Sequence, residues 1–134
     1  MGEEILKFTK LTFIIHFIIG LVFTILFWIP DITSPILGIE RTLDTHAMSL
    51  TIGALFAALV VSSLCGIFAK EWKQVRIVVI AEMVWLVAGM VTTIVSFAAF
   101  DSVMAVLMII MSIILLALFL LTFLQQEDKL KPLF

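Results

Sequence analysis

Two ionisable side chains of this chain lie in strongly apolar surroundings: His16 in LTFIIHFIIGLVFTILFWI, and Glu82 in VRIVVIAEMVWLVAGMVTTIVSFAAF. Of all the Asp, Glu, Lys and Arg residues, Glu82 alone sits deep inside an apolar run. An ionisable group at membrane depth costs about 3 kcal/mol on insertion scales, so it faces the protein interior or a wet cavity and takes a partner. A buried carboxyl and a buried imidazole suit each other. Burial opposes a charge on either, while contact favours opposite charges on both, so the pair can hold one shared proton in either arrangement. Such a pair can relay a proton, bind a cation or a polar ligand, or clamp two helices together.

Whether the two can meet depends on the elements that carry them. The 134 residues are 63% hydrophobic and only 13% charged, against about 25% charged in soluble domains, which makes this a membrane protein. Windows of roughly 19 apolar residues give four spans, at about 11–29, 47–69, 75–100 and 103–124. Residues 125–134 form a polar cytoplasmic tail, expected to fray. The first span is too long for a signal-peptide core, and no small-residue cleavage site follows it. Lys and Arg counts near the span ends fix the orientation. Lys7, Lys10, Lys70, Lys73, Arg76, Lys129 and Lys131 fall on one side and only Arg41 on the other, so both termini are expected in the cytoplasm. Trp28 and Trp72 fit an interfacial aromatic belt.

Depth then places the polar groups. His16 lies about six residues beyond Lys10 and Glu82 about six beyond Arg76, each about 9 Å in from the cytoplasmic side. Ser62 and Ser63 precede Lys70 by seven to eight residues, or about 10 to 12 Å. The expected site is a layer of His16, Glu82 and Ser62.

Small and polar residues recur on single helix faces around that layer. Thr12, His16, Gly20 and Thr24 repeat every fourth position in span 1, and Ala54, Ala58, Ser62 and Gly66 do so in span 2. Span 3 places Gly89, Thr93 and Ser96 on the face of Glu82. Ridges of small residues let helix backbones approach closely in lipid, so Ala54, Ala58, Gly66, Gly20 and Gly89 are the expected packing positions, within the bundle or in a homodimer. Span 4 has only a thin stripe of Ala105, Met108 and Ser112 and is expected to face lipid most. Short 2–3 and 3–4 links make spans 2 and 3, and spans 3 and 4, antiparallel neighbours. The fold expected is all-α, an up-down four-helix transmembrane bundle in one domain.

Several chemistries have no residues to carry them. Cys65 is the one cysteine, so there is no disulfide and no Cys-x-x-Cys pair, and it reads as a packing residue. The chain has no Asn and no Tyr, no Gly-rich phosphate loop, no His-Glu-x-x-His and no Gly-x-Ser-x-Gly. No enzyme and no cofactor is expected. Glu40, Asp44 and His46 make a weak metal set in the loop after span 1, and no metal is expected. His46 is too far in depth from His16 for the two to be axial ligands of one haem. A net charge of −2 without a basic cluster beyond the short loops excludes nucleic acid. The remaining partners are membrane lipid, a second copy of the chain, or a larger membrane complex.

The stretch WIPDITSPILGIERTLDTHAMSLTIGALFAALVV, from Trp28 through span 2, resembles the DoxX-like group of small four-helix membrane proteins. The likeness lies in a Pro-containing end to the first span, the Leu37-Gly38 pair, and the Gly53-Ala54-Leu55 start of the second. It covers about a third of the chain, implies the four-helix architecture and transfers no site residue. Small multidrug transporters share the size, the helix count and a membrane-embedded Glu, but theirs is in the first span and this one is in the third. The leading expectation is a non-enzymatic protein of the cell membrane whose His16, Glu82 and Ser62 layer binds a small ligand or lipid, or which serves as an accessory subunit. The rival is a proton-coupled small-molecule transporter using Glu82 and His16.

Overall fold

The computed structural model describes residues 4–99 and 101–129. Five helices follow one another: α1 (Lys7–Trp28), α2 (Pro30–Leu37), α3 (Leu43–Phe68), α4 (Trp72–Val95) and α5 (Ser102–Gln126). Four of them, α1, α3, α4 and α5, are long and apolar enough to cross a membrane. They form an all-α four-helix bundle. About half of their large apolar side chains, among them Ile18, Val22, Ile25, Val61, Ile77, Ile113 and Ile114, are exposed, which in lipid is the favourable side.

The ends of the helices are set by local chemistry. The Thr42 hydroxyl accepts from the Thr45 amide at 3.1 Å, and the Thr45 hydroxyl accepts from the Thr42 amide at 2.8 Å, a reciprocal cap that starts α3. Asp101 caps α5 by accepting from the Val103 and Met104 amides. The connection between α1 and α3 contains the short helix α2. Pro30 begins it, and Gly38, at φ 68°, ends it in the left-handed conformation that glycine adopts without strain. The Asp101 amide donates to the Leu37 carbonyl at 2.9 Å, tying α2 to the start of α5.

At the opposite end, the Ile5 amide donates to the Lys70 carbonyl. Trp72 Nε1 donates to Glu127 at 2.8 Å, and Arg76 Nε lies 2.8 Å from the same carboxylate. The α3–α4 turn and both described chain ends therefore share one end of the bundle, together with Lys7, Lys10, Lys70, Lys73, Arg76 and Lys129. Arg41 is at the other end, ion-paired with Asp31.

Packing differs from expectation in four respects. First, α3 packs chiefly against α1 and α4 against α5, while α3 and α4, joined by the shorter link, barely touch. Second, α3 meets α1 through Ser49, Gly53, Ser63 and Gly66, which are buried, whereas Ala54 and Ala58 are exposed. A shift of one residue turns the face by about 100°, so Gly53 and Ser63, not their neighbours Ala54 and Ser62, look into α1. The close approaches are real at the glycines: a Cβ on Gly66 would come within 2.6 Å of the Phe13 ring, one on Gly53 within 2.4 Å of Trp28, and one on Gly20 within 3.0 Å of Val60. Gly89 has open space around it and packs nothing. Third, α5 is no more lipid-facing than α3 or α4. Its last turns bury Thr122, Gln125 and Gln126. Thr122 donates to Thr12 and Gln126 to Thr9, each at 3.0 Å, interhelical hydrogen bonds of the kind that hold helices together in lipid. Fourth, the helix therefore runs through Gln126, and the described part of the tail is only 127–129. The α4 helix ends at Val95 with a short 3₁₀ turn at Phe97–Ala99, and the last expected residue of that span, Phe100, lies outside the described residues.

Candidate functional site

The stripe on α1 faces inward, with Thr12, His16, Gly20 and Thr24 all buried. The Thr12 and Thr24 hydroxyls donate to carbonyls four residues back, Phe8 and Gly20, so their hydrogens are spent within the helix. His16 has no such local outlet and reaches across to two other helices. Its Nδ1 is 2.6 Å from the Ser63 hydroxyl on α3, and its Nε2 is 3.6 Å from Glu82 Oε2 on α4. On its α5 side the ring meets Phe119 edge to face, with centroids 5.1 Å apart. Both ionisable groups are sealed, His16 at 4% and Glu82 at 2% exposure.

Ser62 completes the set. Its oxygen lies 2.7 Å from Glu82 Oε1 and 2.8 Å from the Leu59 carbonyl. A serine has one hydrogen to give, and both neighbours are acceptors when Glu82 is ionised. All contacts are satisfied at once when Glu82 carries a proton, donates it to Ser62, and Ser62 donates to Leu59. When Glu82 is ionised, the Ser62 hydrogen turns to Oε1 instead. Glu82 Oε1 thus has a hydrogen bond to Ser62 available in either protonation state. Glu82 Oε2 itself is fully buried and has no hydrogen-bond partner, because 3.6 Å to His16 is beyond hydrogen-bonding range.

The three residues expected in one layer, His16, Glu82 and Ser62, therefore converge, drawn from α1, α4 and α3. Ser63 holds His16, and Phe119 seals it; spacing gave no signal for Phe119, since a Phe in an apolar run looks like any other lipid-facing residue. The expected packing positions divide, with Gly20 and Gly66 at close helix contacts and Ala54, Ala58 and Gly89 away from them. Cys65 is exposed. Among the described residues no three His, Cys, Asp or Glu side chains gather in a way that would hold a metal.

Directly against His16, toward the Trp28 end of α1, lies a cavity of about 380 Å³. Its walls come from every helix: Gly20, Phe23 and Phe27 of α1, Leu37 of α2, Ile52 and Phe56 of α3, Trp85, Leu86, Gly89, Thr92 and Thr93 of α4, and Met108, Met111, Ser112 and Leu115 of α5. The wide α3–α4 separation and the bare Gly89 are what leave this space. Its hydroxyls are not available to a guest as donors, because Thr92, Thr93 and Ser112 donate to the carbonyls of Ala88, Gly89 and Met108 in their own helices. His16 is the one ionisable side chain in the lining.

Among known proteins, no family model, no curated protein and no solved structure matches this chain.

Proposed function

We propose that the chain is a non-enzymatic, multi-pass protein of the cell membrane, with both termini in the cytoplasm, that binds a small, largely apolar ligand or lipid in the cavity against His16. The observation that carries this reading is an apolar cavity of about 380 Å³ whose hydroxyls are all engaged and whose one ionisable lining residue is the buried His16. Ligand sites combine apolar walls with a few unspent polar groups in this way. Native mass spectrometry of the protein released from mild detergent, beside Glu82→Gln, tests it. A bound mass lost in the variant is the expected result; bare protein in both, with equal stability in detergent, would sink the reading and favour an accessory subunit with a missing protein partner.

The Ser62 geometry supports a second reading, proton-coupled transport through the same pair. It requires substrate-driven proton flux in liposomes that disappears in Glu82→Gln. Absence of flux across a broad panel of compounds would remove it while leaving binding intact.

A further inference from the structure

The cavity against His16 is covered at both ends and open on one side. His16 and Leu115, both buried, form its floor. At the other end lies Leu37 of α2, itself buried and held to the start of α5 by the bond from the Asp101 amide. Of the residues that line the cavity, only Trp85, Ala88, Gly89 and Thr92 are exposed, and all four lie on one face of α4. That face borders the gap to α3. The two helices meet through the Ser62–Glu82 hydrogen bond and the edge-on contact of Phe56 with Trp85, and one turn further on a Cβ added to Gly89 would meet nothing within 4 Å. The mouth therefore lies between two helices long and apolar enough to cross a membrane. Gly89 is about 20 Å along α4 from Arg76, a depth at which the surroundings are lipid chains and not water.

The walls suit such a neighbour. No Asp, Glu, Lys or Arg lines them, the Thr92, Thr93 and Ser112 hydrogens are spent within their own helices, and His16 turns its nitrogens toward Ser63 and Glu82. A polar headgroup would find little here to replace its water, whereas a hydrocarbon chain would supply the dispersion contacts that an empty cavity of about 380 Å³ forfeits. Length agrees as well. The lined part of α1, from His16 to Phe27, rises about 16 Å, close to half of a hydrocarbon core about 30 Å thick. That is the reach of a chain belonging to one leaflet.

We propose that the occupant is one hydrocarbon chain of a membrane lipid, which enters sideways from the bilayer between α3 and α4, past Gly89, while its headgroup stays at the membrane surface on the α2 side. This rests on the ligand-binding reading above and adds the class of ligand and its point of entry.

Photo-cross-linking of the full chain in nanodiscs tests the inference, with a phosphatidylcholine that carries a diazirine near the methyl end of one chain. Leu86 and Leu115 are buried and line the cavity, whereas Val87 and Ile114, their neighbours in sequence and depth, are exposed to the surrounding lipid. The expected result is adducts on all four. Gly89→Leu and Gly89→Phe, which place a side chain in the mouth without a clash at the Cβ, should remove the adducts on Leu86 and Leu115 and leave those on Val87 and Ile114. Adducts confined to Val87 and Ile114 in the unsubstituted protein, or interior adducts undiminished in both variants, overturn the proposal. Native mass spectrometry of the same samples separates it from the reading on which it rests. A bound mass that is not a lipid, without interior adducts, overturns the chain assignment and leaves ligand binding standing, whereas no bound mass and no interior adducts count against both.

Discussion

The buried His16 has its two ring nitrogens in different situations: Nδ1 is held by Ser63 at 2.6 Å, and Nε2 faces Glu82 without a hydrogen bond. Removing the Ser63 hydroxyl leaves a buried ring nitrogen with no partner, and Ser63→Ala should destabilise the protein by about 1–3 kcal/mol. His16→Phe removes the other side of the contact with a ring of similar size that can keep the edge-to-face packing on Phe119. In that background Ser63→Ala should cost much less, and a double-mutant cycle in denaturing detergent should give a coupling of about 1 kcal/mol. Additive effects would mean that the contact contributes nothing. Ser63 also marks how far the sequence was legible at this scale. Helical depth brought His16, Glu82 and the Ser62–Ser63 pair to one layer, because rise per residue is nearly constant. It did not divide the serines between two partners, because that depends on how α3 is rotated, which packing against α1 decides.

At the scale of the helices, small residues were visible as ridges, but a ridge only permits close approach and does not say which face is used. The face of α3 that packs carries Gly53 and Gly66, and the consequences of adding a methyl group there differ in a way that geometry ranks. Gly66→Ala drives a Cβ to 2.6 Å from Phe13, a ring with no exposure and no room to yield, so it should cost about 1–3 kcal/mol, the usual range for overpacking. Gly53→Ala meets Trp28 at 2.4 Å, but Trp28 is half exposed and can swing away, so its cost should be smaller. Gly89→Ala meets nothing and should stabilise α4 by about 0.5–1 kcal/mol through helix propensity alone, while taking space from the cavity. Thermal unfolding of the three variants in one detergent gives the order directly; a Gly66→Ala no worse than Gly89→Ala would mean that α1 and α3 do not approach at these positions. Four spans were readable because length and hydropathy are one-dimensional, whereas their ends, such as Val95 of α4 and Gln126 of α5, depend on local caps and packing. The pairing of α1 with α3 was not readable either, because a short loop requires its helices to be neighbours in sequence yet leaves them free to splay apart.

For the whole molecule the decisive feature is polarity from end to end. Six described cationic side chains, Lys7, Lys10, Lys70, Lys73, Arg76 and Lys129, cluster at the end tied by the Ile5–Lys70 and Arg76–Glu127 contacts, and Arg41 at the other end is already paired with Asp31. Positive charge near helix ends is retained on the cytoplasmic side during insertion, and the orientation proposed above, with the basic end inside and the α2 end outside, rests on this asymmetry. The cavity lies on the α2 side of His16, and a guest would then enter from the outer half of the membrane while the His16–Glu82 pair would lie nearer the cytoplasm. Single cysteines report the orientation once Cys65, which is exposed, has been removed as Cys65→Ala. In that background Glu40→Cys should react with a membrane-impermeant maleimide in intact cells. Lys129→Cys should react only after the membrane is opened, since losing one lysine of the basic end leaves the charge bias in place. The reverse pattern would invert the protein and turn the cavity toward the cytoplasm, so that its guest would have to come from the cell's own interior. Labelling of both positions in intact cells would mean two orientations coexist, a state in which an antiparallel pair of copies could form across the exposed Ala54 and Ala58 face.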